Sequence, residues 1–445
     1  MPIEPLELYQ RISKAPRMSE MNFDRLLATK AKEITARHGI EYEPAEIVPT
    51  DDALVDEVWK AGYELALEVG LYCKDNRRRL VLSEQEIERE LRKASVLLTG
   101  HELPLRGIDD KKPLSFDAGP SCLPIREDIF LPLHISYAQE PGIARFYIGN
   151  LLTYRGVPIE VGTPTEILGK RQEVIWAREA LDRVGKQHVV IIPSPDRFLI
   201  QPHTMDIPNV RHKDLLALPH LKVTMDSLML YTYTKSRGLY CAAGSDPMIG
   251  LYGGPDVTLV ISVAEALLHR AIFGGSFIGA FIWPDHKLCR NPILWINSLF
   301  AQVCSRQKME AILGIRTEAT TGTSRALVDI VLETILSSVS GAMSVIGPPT
   351  GYWARCGGNS GLDYRISFEA GLGMAGITRK EASELLPLLI AFSDKQEIPT
   401  KPVLFEECYD LATIQPTREW LGLYNKTKKE MQSIGVKFAD AEDYR

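Results

Sequence analysis

Polar and charged residues directly follow the short apolar runs that the sequence predicts as strands. They are Asp117, Ser194, Ser245, Asp246, Asp285, His286, Arg316, Glu318, Tyr352 and Arg355. Parallel α/β folds bind ligands beyond the carboxyl ends of their strands, so these positions are candidates for binding and catalysis. Arg316 and Glu318 are two residues apart, and side chains at that spacing share one face of a strand. Such a pair can bind opposite charges of a small molecule, or its members can bind each other.

No standard catalytic motif accompanies these residues. The sequence lacks GxxxxGK(S/T), GxSxG, HExxH and HxE…PCxxC, which removes simple assignments to P-loop enzymes, α/β-hydrolases, zincins and deaminases. Its seven cysteines form no CxxC pair, so reduced thiols are predicted, without a disulfide framework or a resident metal. The isolated His134 and His203 are interpreted as structural residues.

One glycine-rich segment matches a cofactor motif. GLGMAG places Gly371, Gly373 and Gly376 at the spacing GxGxxG, and the acidic Asp394 follows. The dinucleotide fingerprint opens a βαβ unit, however, whereas this segment comes last in the strand and helix series. We therefore interpret these glycines as small residues that allow helices to pack, with an NAD(P)-dependent oxidoreductase as an alternative.

The elements that must position these residues follow from the hydrophobic pattern. The first 110 residues place apolar side chains at helical spacing. From residue 113 short apolar runs alternate with longer amphipathic ones, which is typical of parallel strands joined by helices. The pattern predicts an α/β fold: a (β/α)8 TIM-type barrel at residues 111–395, an N-terminal helical extension at 1–110, and a C-terminal helical tail at 396–445 packed on the barrel. An open doubly wound sheet is the alternative, because FLPLHISYAQEP and ARFYIGNLLTYRGVPI fit strand or helix.

Composition excludes several classes of protein. The chain has 445 residues, 45% hydrophobic and 24% charged, with a formal net charge of −6. It has no basic excess of the kind that indicates nucleic-acid binding. The N-terminus lacks a signal-peptide pattern, and the most apolar window, 271–284, is too short and too rich in glycine to cross a bilayer. The sequence therefore predicts a cytoplasmic protein with neither a nucleic-acid nor a membrane partner.

Five segments resemble the monomethylamine methyltransferases of methanogenic archaea. They are PTDDALVDEVWKAGYELALEVGLYC (49–73), SEQEIERE (83–90), AGPSCLPIREDIFLPLHISYA (118–138), YGGPDVTLVISVA (252–264) and FEECYDLATIQPTREWLGLY (405–424). The resemblance implies a (β/α)8 barrel in a homo-oligomer that transfers a methyl group from a methylated amine to the cobalt of a corrinoid. It also implies that a separate corrinoid protein supplies this cofactor. In agreement, the sequence contains no DxHxxG-type corrinoid signature.

The resemblance implies that the reactive residue has been lost. In the resembling enzymes the strand aligned with VVIIPSP carries pyrrolysine, an electrophile thought to capture the amine. Here that position falls on Ile192 or, with a one-residue gap, on Pro193, and Ser194 follows. Neither Ile192 nor Pro193 can perform that chemistry. All three residues are expected to line the substrate site.

The surroundings of the lost electrophile are also changed. In the resembling enzymes two acidic residues accompany the pyrrolysine. The first is again acidic here, as Asp214, and the second is replaced by a glycine at about Gly244. A glutamine and a tyrosine on a neighbouring strand map onto Arg316 and Glu318. The resemblance thus implies catalytic roles for Asp214, Arg316 and Glu318, with Gly244 and Tyr352 lining the substrate site.

These residues predict a pyrrolysine-lacking, corrinoid-dependent methyltransferase with a small methylated donor. A quaternary or zwitterionic amine is favoured over monomethylamine. Arg316 suits a carboxylate, whereas Glu318 and Asp214 suit a cationic nitrogen or sulfur. A non-catalytic barrel that binds a methylated ligand or the corrinoid protein is the alternative from another class.

Overall fold

A computed structural model describes most of the chain. It covers residues 3–92, 105–121, 123–193, 212–216, 220–236, 240–245, 247–274, 277–279, 290–317, 319–347 and 359–444. The chain divides into two compact units. The first consists of Met1–Ile108, His212–Leu313 and Ser340–Met343, and the second of Asp109–Arg211, Gly314–Val339 and Ser344–Arg445.

Helices and strands follow one another in the predicted order. The N-terminal segment contains α1 (Pro5–Lys14), α2 (Glu20–Arg37), α3 (Asp52–Val69), β1 (Leu71–Cys73), β2 (Arg78–Leu80) and α4 (Glu84–Leu91). The next segment contains β3 (Ser115–Ala118), β4 (Pro124–Ile125), α5 (Glu127–Ala138), β5 (Ile143–Tyr147), β6 (Asn150–Leu151), β7 (Thr153–Tyr154), β8 (Val157–Pro158), α6 (Pro164–Arg183) and β9 (Val190–Ile192).

The alternation continues through the remaining chain. It comprises β10 (His212–Leu216), β11 (Lys222–Val223), α7 (Met225–Ser236), β12 (Tyr240–Ser245), α8 (Pro255–Phe273), β13 (Phe277–Gly279), α9 (Arg290–Arg306), β14 (Ala311–Gly314), α10 (Ser324–Val339), β15 (Ser344–Ile346) and α11 (Gly361–Gly373). The C-terminal part has α12 (Arg379–Asp394), α13 (Phe405–Cys408), β16 (Tyr409–Asp410), β17 (Gln415–Pro416), α14 (Arg418–Ile434) and a 3-10 turn at Ala441–Tyr444.

The first unit combines the N-terminal helices with one set of parallel strands. Strands β10, β12, β13 and β14 are neighbours in that order, and their pairing is parallel. The side chain of Ser19 caps α2, and that of Asp51 caps α3, which satisfies backbone N–H groups at both helix starts. A Cβ at Gly62 of α3 would collide with Val263 of α8. The absence of a side chain at Gly62 therefore lets these helices pack closely.

The second unit has its own set of parallel strands, in the order β15, β3, β5 and β9. The apolar runs predicted as strands become β3, β9, β12, β13, β14 and β15, which confirms those predictions. Of the two undecided segments, the first forms α5 and the start of the second forms β5. Strand β10 was not predicted. The boundaries 1–110, 111–395 and 396–445 stay a prediction.

The GLGMAG segment is not a nucleotide-binding turn. The preceding YRISFEA sequence lies within α11, and Gly371 and Gly373 are at the end of that helix. A Cβ at Gly371 would collide with Phe116, and one at Gly373 with the backbone of Lys437. The fingerprint requires a strand before its glycines, so the dinucleotide interpretation is wrong and the packing interpretation is confirmed.

Two further predictions concern membranes and thiols. In the parts of the chain described above, no helix is long and apolar enough to span a membrane. Cys73, Cys304 and Cys408 are free and buried, as predicted for reduced thiols. Burial raises the pKa of the Cys408 thiol to about 12, so this thiol stays protonated near neutral pH.

Candidate functional site

Strands β3 and β5 each turn one face toward helices and the other face away from them. Phe116 of β3 lies 5.2 Å from Phe368 of α11, and Phe146 of β5 lies 5.9 Å from His134 of α5, measured between ring centroids. Neighbouring residues along a strand point to opposite faces. Asp117, Arg145 and Tyr147 therefore occupy the face turned away from α5 and α11, which we call the inner face.

A buried ion pair occupies this inner face. Arg145 Nε donates to Asp117 Oδ1 at 2.8 Å, and its Nη2 donates to Oδ2. The hydroxyl of Ser344 on β15 also donates to Asp117 Oδ2, at 2.7 Å. The Asp117 side chain is fully buried, and that of Arg145 is 5% exposed. This bidentate geometry neutralises Asp117, so its carboxylate is not available as the counter-charge of a cationic ligand.

The pairing of β3 with β5 depends on an irregularity in register. Phe116 is opposite Ile143, but Asp117 is opposite Arg145, which leaves Ala144 unpaired. One extra residue in a strand redirects the side chains that follow it. The shift brings Arg145 beside Asp117 and keeps Phe146 against the helices.

Ile192, one of the two positions predicted to have lost the electrophile, lies on this inner face. Ile192 ends β9 in register with Tyr147, and Val190 is in register with Arg145. Ile192 is fully buried and Tyr147 nearly so, and Pro193, the next residue, is also buried. The Arg145 guanidinium carbon is 5.8 Å from the centroid of the Tyr147 ring. The end of β9 thus places an aliphatic side chain beside an aromatic ring and a buried ion pair.

Arg316 lies beyond the end of its strand. Strand β14 ends at Gly314, the N–H of Ile315 donates to the carbonyl of Ile346 at 2.9 Å, and the N–H of Arg316 donates to Glu333 Oε2 at 2.9 Å. The backbone at this position is therefore held by α10, while the residue is partly exposed. Because the strand stops before Arg316, alternation does not establish a shared face with Glu318, which is outside the described residues.

Two other predicted site residues lie on parallel strands of the first unit. Asp214 is in β10 opposite Ala242, and Gly244 is in β12 opposite Leu216 and Ile278. Ser194 and Tyr352 are outside the described residues, as is His203. Among the residues that the structure does describe, no group of three or more His, Cys, Asp and Glu side chains could hold a metal ion.

His134 agrees with its structural interpretation. Its Nδ1 bonds the Phe130 carbonyl at 2.7 Å, and its Nε2 accepts from the N–H of Gly149 at 3.3 Å. Burial lowers the pKa of His134 to about 4. The ring is therefore neutral at physiological pH, with both nitrogens satisfied by backbone groups.

Comparison of the sequence with known proteins identifies its family. A sequence model described as monomethylamine methyltransferase MtmB matches residues 3–436. This chain belongs to that family. Monomethylamine methyltransferase MtmB1 of Methanosarcina acetivorans is 25% identical over 459 aligned residues, which cover 97% of this chain and 98% of the relative. A relative named MtmB1 from Methanosarcina barkeri is 24% identical with the same coverage. The prediction of a methyltransferase is confirmed.

Solved structures of MtmB show the fold. The crystal structure of the Methanosarcina barkeri monomethylamine methyltransferase (MtmB) matches with a TM-score of 0.90 at 22% identity, over 98% of this chain and 99% of that one. A structure titled as the hydroxylamine MtmB complex matches equally well. The predicted (β/α)8 TIM barrel is confirmed, and the open doubly wound sheet is wrong.

In this member of the MtmB family, sequence reasoning missed Arg145 and Tyr147. A signal was present, because the alternation Arg145-Phe146-Tyr147 resembles the spacing that drew attention to Arg316 and Glu318. The segment ARFYIGNLLTYRGVPI fits strand or helix, so the sequence alone does not place these two residues on one face. As members of strand β5 they share a face.

A second buried polar cluster surrounds the start of α11. The backbone N–H and the hydroxyl of Ser360 each donate to Asp363 Oδ2 at 2.8 Å, which forms a capping box. The hydroxyls of Thr321 and Ser360 are 2.9 Å apart, and the Tyr409 hydroxyl accepts from the N–H of Leu362 at 3.0 Å. The cluster thereby joins α11 to the C-terminal tract that first indicated the family.

This cluster predicts a pH-dependent stability. Burial raises the pKa of the Asp363 carboxyl from 3.8 to about 6, although hydrogen bonds from Thr321 and Ser360 oppose the shift. The pKa of Asp363 is higher in the folded state than in the unfolded state. Its contribution to the stability of the fold is therefore fully present below about pH 4 and is lost as the pH rises through about 6. We expect it to be on the order of 3 kcal/mol. Unfolding of wild type and Asp363→Asn at several pH values between 4 and 7 measures it, and the variant should show the flatter profile. Identical profiles would contradict the prediction.

Proposed function

We propose that this protein transfers a methyl group from a small methylated donor other than monomethylamine to cobalt(I) of a separate corrinoid protein. Membership of the MtmB family supports the reaction class. The change of donor is supported by one observation: β9 ends in the buried Ile192 and is followed by the buried Pro193, the two residues that the resemblance offers for the position of the electrophile. An aliphatic side chain cannot form a covalent adduct with an amine.

A donor that leaves as a neutral molecule does not need that electrophile. In a quaternary ammonium or a sulfonium, the methyl carbon already carries a good leaving group. The electron pair of cobalt(I) forms the new bond to carbon, and the electron pair of the broken C–N or C–S bond stays on nitrogen or sulfur. No proton has to move. The work of this chain is then to hold the donor with its methyl group directed outward and to exclude water.

The resemblance, together with one ion pair of the second unit, supports an assignment of the donor's charges. Asp117 is neutralised by Arg145, so the cationic head is assigned to Asp214 and Glu318. Arg316, whose backbone is held by Glu333, is assigned to a carboxylate. The ring of Tyr147, beside Ile192, provides an aromatic surface next to the donor. This distribution favours a zwitterionic methylated amine.

The spectrum of the acceptor tests the proposal. Purified protein is mixed with a cobalt(I) corrinoid protein and one candidate donor at a time, and conversion of the cobalt(I) spectrum to that of methylcobalt is followed. Conversion with a quaternary or zwitterionic donor is expected. Donor binding without conversion by any corrinoid protein of the relatives would instead favour the non-catalytic barrel.

Monomethylamine gives a second, separate expectation. We expect no useful transfer from monomethylamine when the protein is produced in a host without pyrrolysine, because neither Ile192 nor Pro193 can activate a primary amine. The control is a pyrrolysine-containing relative assayed with the same corrinoid protein. Robust transfer from monomethylamine by this chain would refute the expectation, and would require another group to activate the amine.

A further inference from the structure

The loop between β14 and α10, residues 315–323, is built almost entirely from buried residues. Six of them are at most 6% exposed: Ile315, Thr317, Ala319, Thr320, Thr321 and Thr323. The partly exposed residues that the structure describes in this loop are Arg316 and Gly322. Loops that follow the strands of a (β/α)8 barrel carry its binding residues. Arg316 is therefore the one long side chain that the described part of the loop presents outside the core.

Threonine hydroxyls fix the second half of the β14–α10 loop. Thr320 Oγ1 accepts from the N–H of Val403 at 3.0 Å, and Thr321 Oγ1 lies 2.9 Å from Ser360 Oγ. Thr323 Oγ1 donates to the Thr320 carbonyl at 2.7 Å. A different path of the loop would break these bonds and leave buried polar groups unsatisfied, which is costly. The second half of the loop is thus held by its own hydroxyls and by neighbouring segments.

Two carboxylates of α10 hold the first half of the loop. Glu333 Oε2 accepts from the N–H of Arg316 at 2.9 Å, and Asp329 Oδ2 accepts from Thr317 Oγ1 at 3.4 Å. Thr317 Oγ1 also accepts from the N–H of Ala319 at 3.1 Å. Asp329 and Glu333 are four residues apart, so both lie on one face of α10. This face of α10 therefore sets the backbone path at Arg316 and Thr317.

Asp329 is itself held by other side chains. Its Oδ2 accepts from Arg325 Nε at 3.2 Å, and its Oδ1 accepts from the hydroxyl of Ser393 on α12. Arg325 Nη1 donates to the Ser393 carbonyl at 2.7 Å. Asp329 is only 5% exposed, and a buried carboxylate is stable when it has such partners. The loop is thereby joined through Asp329 to α12 as well as to α10.

We propose that Glu333 and Thr317 are positioning residues, which fix the β14–α10 loop so that the Arg316 guanidinium meets the carboxylate of the donor in one orientation. This inference rests on the proposed function, which assigns Arg316 to that carboxylate. A backbone that is ordered before the ligand arrives lowers the entropy lost on binding. Glu333 contacts the backbone N–H of Arg316, so replacing Glu333 alters the path of the loop while the guanidinium stays in the protein.

Donor binding tests the role of Glu333 without a corrinoid protein. Calorimetry measures the Kd of N,N,N-trimethylglycine, which has a carboxylate, and of tetramethylammonium, which has none. Glu333→Ala should raise the Kd of trimethylglycine by about 10- to 100-fold, as for residues that orient metal ligands, and leave that of tetramethylammonium unchanged. Glu333→Gln keeps an acceptor oxygen and should retain most of the affinity. Equal effects of Glu333→Ala on both compounds, no effect on either, or no binding of trimethylglycine by wild type overturns the proposal.

The hydroxyl of Thr317 is tested in the same assay. Thr317→Val removes the hydroxyl but keeps the branched shape, so it should weaken trimethylglycine binding selectively. Thr317→Ser keeps the hydroxyl and should bind trimethylglycine like wild type. A loss in Thr317→Ser as large as that in Thr317→Val would show that shape and not the hydrogen bond matters, and would remove Thr317 from the proposal.

Glu127→Ala is the matched control for Glu333→Ala. Glu127 of α5 is also a partly exposed glutamate that accepts from the backbone N–H of an arginine, Arg155, at 2.7 Å. It belongs to the same compact unit, and its loss should leave both affinities unchanged. Hydrogen exchange should become faster at the Arg316 amide in Glu333→Ala and at the Arg155 amide in Glu127→Ala. An unchanged exchange rate at Arg316 would contradict the positioning role.

Methyl transfer separates this inference from the proposed function. Binding of trimethylglycine that depends on Glu333, without transfer from any donor to a cobalt(I) corrinoid protein, would support the positioning role and refute the proposed function. Transfer by wild type from both donors, with equal losses for the two in Glu333→Ala, would support the proposed function and refute the positioning role.

Discussion

Replacing Arg145 with leucine is expected to lower the free energy of unfolding by about 3–5 kcal/mol. The physical reason is that the fully buried Asp117 carboxyl group would lose two hydrogen bonds and its only described counter-charge. The hydroxyl of Ser344 would still donate to it, but a neutral donor does not balance a buried charge. Chemical denaturation measures the loss.

Two further variants make this result specific. Asp117→Asn combined with Arg145→Leu removes the buried charge and should recover most of the lost stability, because replacing both members of a buried pair is often close to neutral. Arg92→Leu is a control for an exposed pair. Arg92 bonds Glu88 at 2.6 Å with its side chain 79% exposed, so its loss should cost less than about 1 kcal/mol. Equal effects of Arg145→Leu and Arg92→Leu would contradict the importance of burial.

The ion pair also limits what the inner face can bind. Arg145 of β5 is paired with Asp117 of β3, so the two residues form a fixed, buried ion pair beside Tyr147 and Ile192. A charged donor would therefore need counter-charges other than this pair, and the proposal takes them from the resemblance, which implies Asp214, Arg316 and Glu318.

Much of the fold could be predicted from the sequence because its strands are apolar on both faces. Runs such as VVII and AILG indicate buried parallel strands without reference to any partner. Strand β5 does not fit that rule, because Arg145 and Tyr147 interrupt its apolar pattern. Strand β10, with the sequence HKDLL, is more polar still and was missed. In both cases the strand contains polar residues, so a search for apolar runs does not identify it.

The candidate site was less predictable than the fold for a related reason. Whether Asp117 meets Arg145 depends on the register between β3 and β5, and that register contains the irregularity at Ala144. A local sequence pattern does not reveal which residue of a neighbouring strand will be its partner. A shared face for Arg316 and Glu318 requires a strand that continues to both residues, but β14 ends at Gly314.

Arg316→Gln is expected to weaken transfer from a carboxylate-bearing donor by about 2–5 kcal/mol, which is roughly 30-fold to several thousand-fold in kcat/KM. The guanidinium would otherwise hold the donor carboxylate with two parallel hydrogen bonds. The substitution keeps the backbone N–H that donates to Glu333, so the local chain path should be retained. The assay compares N,N,N-trimethylglycine with tetramethylammonium, which has the same cationic head and no carboxylate.

The comparison between these two donors decides the role of Arg316. If it binds the carboxylate, only trimethylglycine should lose activity, and Arg316→Lys should be intermediate because it keeps the charge without the planar fork. Equal losses with both donors would indicate that Arg316 supports the site through its surroundings. Unchanged turnover of every carboxylate-bearing donor would mean that Arg316 does not bind the donor, and the preferred substrate would then be a simple cationic or neutral methyl compound, with Asp214 and Glu318 as the remaining charged candidates.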